Sequence, residues 1–119
     1  MRKTMLFLAI LAIQQTAFAE MPKTVDGRLV DENGMTLYTF DKDTTPGKSA
    51  CTGGCATAWP AAMADSYDKP TGDWTVIPSA DGKKQWAYKG KPVYRFAKDT
   101  KAGEMNGDGF KDMWHTAKP

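Results

Sequence analysis

The side chains best able to do chemistry in this sequence are two cysteines and one histidine. Cys51 and Cys55 are the only cysteines, separated by Thr-Gly-Gly, and His115 is the only histidine. Thiolates together with an imidazole form a ligand set that suits copper. The three residues would therefore make a copper or redox site if the fold brought them together. A structural disulfide is the other prediction, because the two glycines let so short a loop close.

A second group of candidate metal ligands lies in a Gly- and Asp-rich segment near the C-terminal end. Glu104, Asn106 and Asp108 alternate with other residues and Gly109 follows, which resembles the opening of a calcium-binding loop. No Glu occupies the twelfth position, where His115 lies instead. Gly-Asp-Gly is also an ordinary tight-turn sequence. A calcium site with Asn106 and Asp108 as ligands and a plain turn are both open.

No residue pattern typical of an enzyme is found. The sequence lacks Gly-x-Ser-x-Gly, His-Glu-x-x-His and a phosphate-binding Gly-rich loop. One histidine without an obvious partner does not make a Ser-His-Asp set. Asp41 and Asp43 are paired carboxylates, but they lie in a turn-rich segment that we expect to be solvated. We therefore predict a domain that is not an enzyme and holds no cofactor.

The elements that position these residues come from an internal duplication. The stretch 34–47, GMTLYTFDKDTTPG, matches 90–103, GKPVYRFAKDTKAG, and both contain Tyr-x-Phe-x-x-Asp. We predict two repeats at about 22–63 and 73–117. The residues that the repeats share are Tyr38, Phe40, Asp43 and the closing Trp59 in the first, and Tyr94, Phe96, Asp99 and the closing Trp114 in the second.

Turn and strand signals in both repeats predict a mainly β fold. Asp-Gly and Asn-Gly pairs favour two-residue hairpins, and they separate runs of β-branched and aromatic residues. Lys89-Gly90 is predicted to turn the chain again before 93–96. Each repeat is predicted to form a three-stranded meander that ends at 36–40 or 93–96. A long loop follows, 41–54 or 97–109, and then a short helical turn that ends near Trp. The two meanders are expected to form one compact domain.

The Tyr-x-Phe-x-x-Asp motif has two interpretations. On a strand its Tyr and Phe point to the same face, and its Asp lies just beyond the strand end. There a carboxylate can accept backbone N–H bonds and fix the following loop. The motif is then scaffold throughout, with the aromatic pair in the core. Alternatively, the aromatic pair faces a ligand.

The N-terminal residues predict export. Two basic residues precede the apolar run 5–13, and Ala17-Phe18-Ala19 has small residues at the positions of a signal-peptidase site. The apolar run is shorter than the roughly 20 residues that span a bilayer. We predict a signal peptide over 1–19, cleavage after Ala19, and a mature periplasmic domain over 20–119. In that oxidising compartment a disulfide between Cys51 and Cys55 is expected.

Loss of the signal peptide changes the charge of the chain. The full sequence has 16 Lys and Arg against 14 Asp and Glu, and Arg2 and Lys3 leave with the signal. The mature domain is then formally neutral, so nucleic-acid binding, which needs a clustered basic surface, is not predicted. No later segment is apolar enough to span a membrane. The predicted partner is a cell-envelope component, a protein or a small ligand.

The two motifs, the CTGGCATAWP segment and the closing NGDGFKDMWH together resemble a bacterial secreted-repeat family, the predicted lipoproteins with a Y-x-[FWY]-x-x-D motif and no known function. The resemblance covers about residues 25–117. It implies export and a repeated domain, and it supplies no catalytic residues. No cysteine for lipid attachment lies at the cleavage site, so no lipid anchor is predicted.

These observations favour an exported, non-enzymatic domain that binds a ligand or partner or associates with the envelope. Two alternatives are open. The first is a copper-binding or redox protein that uses Cys51, Cys55 and His115. The second is an envelope hydrolase.

Overall fold

The computed structural model describes residues 21–65 and 69–119, so the predicted signal peptide lies outside the described residues. Within those ranges the chain forms short strands and very short helices. In chain order they are β1 (Lys23–Val25), β2 (Arg28–Val30), β3 (Tyr38–Phe40), α1 (Gly54–Ala58), β4 (Trp74–Pro78), β5 (Lys84–Tyr88), β6 (Lys91–Pro92), a 3-10 helix (Phe110–Asp112) and β7 (Trp114–Thr116).

Two of the predicted hairpin turns have the expected backbone geometry. A two-residue type I′ turn requires positive φ at both central residues. Between β1 and β2 these are Asp26 (φ 51°) and Gly27 (φ 77°), and between β5 and β6 they are Lys89 (φ 50°) and Gly90 (φ 84°). The turn residues thus fix the register of both hairpins.

The described strands form three small antiparallel sheets. β1 and β2 pair in the first repeat, β4, β5 and β6 form a three-stranded sheet in the second, and β3 pairs with β7. The last pairing joins the repeats, because Phe40 lies opposite Trp114 and Tyr38 opposite Thr116. The prediction of a mainly β fold is confirmed. The prediction of two equal three-stranded meanders is not confirmed.

The reason is that the third strand of each repeat is held by the other repeat. Leu37 N–H donates to the Leu29 carbonyl at 3.0 Å, as a meander requires. Ala117 of the second repeat then closes a ring: its N–H donates to the Leu37 carbonyl at 2.8 Å and its carbonyl accepts from Leu29 at 2.9 Å. The same ring recurs among Val93, Trp86 and Ala62, with bonds of 3.1, 3.1 and 2.8 Å.

The buried side chains form two clusters, and each contains residues from both repeats. Because the C-terminal segment of each repeat crosses to the other, neither cluster is built by one repeat alone. The first contains Leu29, Leu37, Ala62, Trp74, Trp86, Val93 and Ala117. The second contains Tyr38, Cys51, Trp59, Tyr94, Phe96 and Trp114.

Candidate functional site

The tyrosine of each repeated motif is hydrogen-bonded to the aspartate of the other motif. Tyr38 Oη donates to Asp99 Oδ2 at 2.5 Å, and Tyr94 Oη donates to Asp43 Oδ2 at 2.7 Å. The two tyrosines also exchange both backbone bonds, at 2.8 and 2.9 Å. An approximate twofold axis between the repeats therefore passes between Tyr38 and Tyr94.

The other oxygen of each aspartate holds the loop that follows it. Asp43 Oδ1 accepts the Ala50 N–H at 2.6 Å, and Asp99 Oδ1 accepts the Asn106 N–H at 2.9 Å. Both donors lie seven residues after the aspartate. The loop-fixing role expected from the sequence is thus present, whereas the bond to the tyrosine of the other repeat was not anticipated.

Burial raises the pKa of Tyr38, Tyr94 and Asp43. Burial, followed by the hydrogen bond to Asp99, raises the pKa of Tyr38 far above its usual range. Burial, followed by the hydrogen bond to Asp43, does the same for the pKa of Tyr94. Burial also raises the pKa of Asp43, although the bonds from Tyr94 and Ala50 oppose that rise. Both tyrosines are therefore neutral hydrogen-bond donors.

Four aromatic rings form a continuous stack between the repeats, here called the four-ring stack. Its order is Phe40, Trp114, Trp59, Phe96, so that the repeats alternate. Successive centroids lie 4.2, 3.8 and 4.1 Å apart, and the two indoles are inclined by 2°. Tyr38 makes an edge contact with Trp59 at 5.3 Å. Both faces of Trp59 are covered, so these rings serve as scaffold.

The loop of the second repeat closes tightly over one end of the stack. The Gly107 N–H donates to Tyr38 Oη at 3.2 Å. A Cβ at Gly107 would lie 2.5 Å from Trp59 Cη2 and 3.0 Å from Phe96 Cδ2. Only glycine fits this approach. The aligned position in the first repeat is Cys51.

Replacing Gly107 with alanine is expected to lower the free energy of unfolding by about 1–3 kcal/mol. The added methyl meets the Trp59 ring, which cannot retreat because both its faces are stacked. Gly54→Ala is the control, since nothing lies within 4 Å of a Cβ built there and Gly54 begins α1. Urea unfolding of both variants measures the difference. Equal stability of the two variants would contradict the close packing at Gly107.

The loop of the first repeat is built differently and leaves a cavity beside Tyr94. A disulfide joins Cys51 to Cys55, as the sequence predicts. The cavity has a volume of about 430 Å³, and its walls are this loop, α1, the segment after α1, and residues 79–85. The side chains in these walls include Ser49, Ala56, Trp59, Met63, Gln85 and Tyr94.

The hydroxyl groups in the cavity wall form a directed chain. Ser49 Oγ lies 2.6 Å from Tyr94 Oη. Because Tyr94 gives its single proton to Asp43, Ser49 must be the donor in this contact. Ser49 Oγ in turn accepts the Cys51 N–H at 3.3 Å. The hydroxyl protons of this chain therefore point away from the cavity and towards Asp43.

Gln85 places an unpaired acceptor in the same wall. The residue is 0% exposed, and its Nε2 donates to the Val93 carbonyl at 3.0 Å. Its Oε1 has no hydrogen-bond partner among the described residues. A buried acceptor left unpaired costs about 1–3 kcal/mol. Among the described residues, Arg95 Nε and Thr116 Oγ1 are also buried without a hydrogen-bond partner, but neither residue lines this cavity.

Sequence reasoning missed both Ser49 and Gln85. Neither residue belongs to a motif. The one signal in the sequence is that the two repeats have different residues at these two positions. Met105 takes the place of Ser49 in the second repeat. Arg28 takes that of Gln85 in the first, because Arg28 precedes Leu29 as Gln85 precedes Trp86, and these two residues are equivalent in the two backbone rings. Arg28 uses its Nε in a bond to Thr36 Oγ1 at 3.2 Å.

The three residues predicted as copper ligands do not form a metal site among the described residues. The sulfur atoms of Cys51 and Cys55 are bonded to each other. His115 lies on β7 with Nε2 2.9 Å from Asp41 Oδ2, and both side chains are exposed. Across residues 21–65 and 69–119, no group of three or more His, Cys, Asp or Glu side chains is placed to hold a metal ion.

The residues predicted as calcium ligands instead fix the second loop. The Asn106 N–H donates to Asp99, and Asp108 Oδ1 accepts the Thr116 N–H at 2.9 Å. This backbone bond lowers the pKa of Asp108. Glu104 Oε1 accepts the N–H of Thr100 at 2.6 Å. The acidic run is thus a set of loop-closing acceptors.

Comparison with known proteins agrees with this repeated architecture. A family model described as a secreted repeat of unknown function matches residues 21–63 and again residues 75–118, together more than half of the chain. No curated protein and no solved structure matches the chain. In the described part of the chain, no helix has the length and apolar character needed to cross a bilayer. The duplication predicted from the sequence is confirmed, and the chain belongs to the family of secreted repeats of unknown function.

Proposed function

We propose that this chain is a non-enzymatic binding protein whose ligand enters the cavity beside Tyr94. The supporting observation is the asymmetry between the repeats. Both tyrosines have the same backbone pairing and the same bond to an aspartate. Around Tyr38 the loop closes at Gly107, whereas around Tyr94 it leaves about 430 Å³. Small-ligand cavities are usually about 300–1,000 Å³.

A second argument concerns stability. The four-ring stack and the crossed bonds make a fixed frame, and Gln85 Oε1 lies in that frame without a partner. The Gln85 amide contributes to the fold through its bond to the Val93 carbonyl, but its Oε1 contributes no bond and has the cost of a buried, unpaired acceptor. A ligand that donates a hydrogen bond to Gln85 would satisfy it. The unpaired Gln85 Oε1 is therefore our second reason for proposing a ligand in this cavity.

Two features support the absence of enzymatic activity. Ser49, Thr52 and Ser79 line the cavity, and Ser49 is the one of these hydroxyls that bonds to the buried Tyr94. Tyr94 is not a general base for Ser49, since burial raises the pKa of Tyr94 and so keeps the phenol protonated, with its proton donated to Asp43. His115, the one histidine, bonds to Asp41 instead. Ser49 thus has no general base beside it, and the hydrolase alternative gains no support.

We also place the protein in the periplasm, with cleavage after Ala19. The support is the signal-like N-terminus, the description of the family as secreted, and the Cys51–Cys55 disulfide, which is typical of oxidising compartments. The mass of the mature protein, purified from periplasmic extract of the producing cell, tests the cleavage. A mass that includes residues 1–19 would contradict it.

The copper alternative gains no support from the geometry, because the thiolates it needs are joined in a disulfide. Thiol counting and a metal screen on the purified mature protein are expected to give no free thiol and no copper. Two free thiols together with stoichiometric copper would overturn this expectation and favour the site built from Cys51, Cys55 and His115.

The binding proposal is tested by an NMR screen of small molecules against the mature protein. Ala56 lines the cavity, and the adjacent Thr57 on the same helix is exposed and does not line it. We expect bound compounds to shift resonances of Tyr94 and Gln85, to lose affinity for Ala56→Trp, and to retain it for Thr57→Trp. If every compound that binds the wild type also binds Ala56→Trp equally well, the cavity is not the site.

A further inference from the structure

We infer that the ligand is a neutral aromatic molecule with one N–H or O–H donor, such as an indole or a phenol, whose donor is bound by Gln85. This inference rests on the proposed function, because it names the ligand class for the same cavity. It is carried by three properties of the wall: the direction of its hydrogen bonds, the surfaces that its apolar side chains leave free, and its charge.

The inner wall offers an acceptor and keeps its donors occupied. The proton of Ser49 points to Tyr94 and that of Tyr94 to Asp43. The Gln85 amide donates one N–H to the Val93 carbonyl, and its side chain also has a hydrogen-bond interaction with the Tyr94 hydroxyl. In this inner wall, the buried polar atom without a hydrogen-bond partner is Gln85 Oε1. Because Gln85 is 0% exposed, a ligand reaches Oε1 only when a side chain of the wall moves aside, and the ligand must then bring a donor.

The apolar wall fits a flat ring better than a sugar. Sugars commonly rest on an exposed aromatic face, but both faces of Trp59 are covered by Trp114 and Phe96. Trp59 is 3% exposed and presents its edge to the cavity. The positive edge of one aromatic ring attracts the face of another. Met63, 45% exposed at the cavity, adds a thioether, which also contacts aromatic rings favourably.

The charges around the cavity balance, which favours a neutral ligand. Asp81 and Lys83 lie at the wall with opposite signs. The Asp81 carboxylate is already bonded to the Ser79 hydroxyl and to the Lys83 N–H. The Asp43 carboxylate likewise already accepts two hydrogen bonds. The wall therefore has no net charge that would offset the hydration lost by a charged ligand.

The test compares three ligands by NMR titration of the mature protein. Indole carries the ring and the donor, 1-methylindole carries the ring without the donor, and cyclohexanol carries a donor without the aromatic ring. We expect indole to bind about 5- to 100-fold more tightly than 1-methylindole, since the latter leaves Gln85 Oε1 unpaired. Cyclohexanol is expected to bind more weakly than indole.

Gln85→Met should abolish the preference for indole over 1-methylindole. The matched control is Arg28→Met at the aligned position of the first repeat, which should retain it. Thermal unfolding of each variant shows whether it is folded. If Gln85→Met does not fold, the ligand comparison on the wild type still decides the inference.

The possible outcomes separate this inference from the proposed function. Equal affinity for indole and 1-methylindole would overturn the role of the donor, and equal affinity for indole and cyclohexanol would overturn the aromatic class. Compounds of another class that bind in the cavity while indole does not would overturn the inference and leave the proposed function standing. If no compound of any class reaches the cavity, both fail.

Discussion

Replacing Trp59 with alanine is expected to lower the free energy of unfolding by about 3–5 kcal/mol. Trp59 is buried in the middle of the four-ring stack, with Trp114 at 3.8 Å on one face and Phe96 at 4.1 Å on the other. Its loss leaves a hole between the two repeats. A domain of this size has a total stability of about 5–15 kcal/mol. Urea unfolding of the oxidised mature protein, followed by far-UV circular dichroism, measures the change.

Phe110→Ala is the matched control for the Trp59 variant. Phe110 belongs to the same group of rings but is 37% exposed, and its contact with Trp59 is an edge contact at 5.7 Å. Its truncation should cost less than about 1.5 kcal/mol, because its ring is only partly removed from water. If Trp59→Ala is folded too poorly to measure, Trp59→Phe should fall between the two. A Trp59 variant as stable as Phe110→Ala would contradict the central place of the stack.

Replacing Asp99 with alanine should lower the free energy of unfolding by about 3 kcal/mol or more. Asp99 is 5% exposed and accepts hydrogen bonds from the Tyr38 hydroxyl and the Asn106 N–H. Both donors would be left without their acceptor, and each bond to a charged acceptor is worth about 1.5–3 kcal/mol. The same urea experiment applies. Hydrogen exchange at the Asn106 amide should also become faster, because its acceptor is gone.

The aligned variant Asp43→Ala is expected to cost less than Asp99→Ala. Asp43 is half-buried, and its partner Tyr94 has a second hydrogen-bond partner in Ser49. The difference between the two variants therefore measures how differently the repeats close their loops. A larger loss for Asp43→Ala than for Asp99→Ala would show that the first loop, and not the second, is the more tightly held.

Local sequence signals predicted the parts of this fold that depend on near neighbours. The Asp-Gly and Lys-Gly turns, the short strands and the loop-fixing role of Asp43 and Asp99 all depend on residues within about ten positions. Cys51 and Cys55 are likewise near neighbours. The duplication was visible because aligned residues recur at a constant spacing.

The crossing of the repeats could not be read from the sequence, and the reason is the duplication itself. Because both copies contain the same Tyr and Asp, self-comparison does not distinguish a bond from Tyr38 to Asp43 from one to Asp99. The same ambiguity applies to the rings, since Phe40 has a tryptophan available in either repeat. The exchange of the C-terminal segments between the repeats determines which aspartate bonds to Tyr38 and which tryptophan stacks on Phe40.

The cavity was also beyond sequence reasoning. It is assembled from residues 49–63 of the first repeat and from residues 79–85 and Tyr94 of the second. Ser49 and Gln85 belong to no recognised motif. Two features of the folded structure make them relevant to binding. Ser49 donates its hydrogen bond to Tyr94, and Gln85 has a buried, unpaired oxygen in the cavity wall.

The cross-connection of the repeats is tested most directly by two double-mutant cycles in urea unfolding. One combines Tyr38→Phe with Asp99→Ala, the pair joined across the repeats, and the other combines Tyr38→Phe with Asp43→Ala, the pair within one motif. We predict a coupling energy of about 1.5–3 kcal/mol in the first cycle and additivity within about 0.5 kcal/mol in the second. Coupling between Tyr38 and Asp43, with additivity between Tyr38 and Asp99, would contradict the exchange of the motifs.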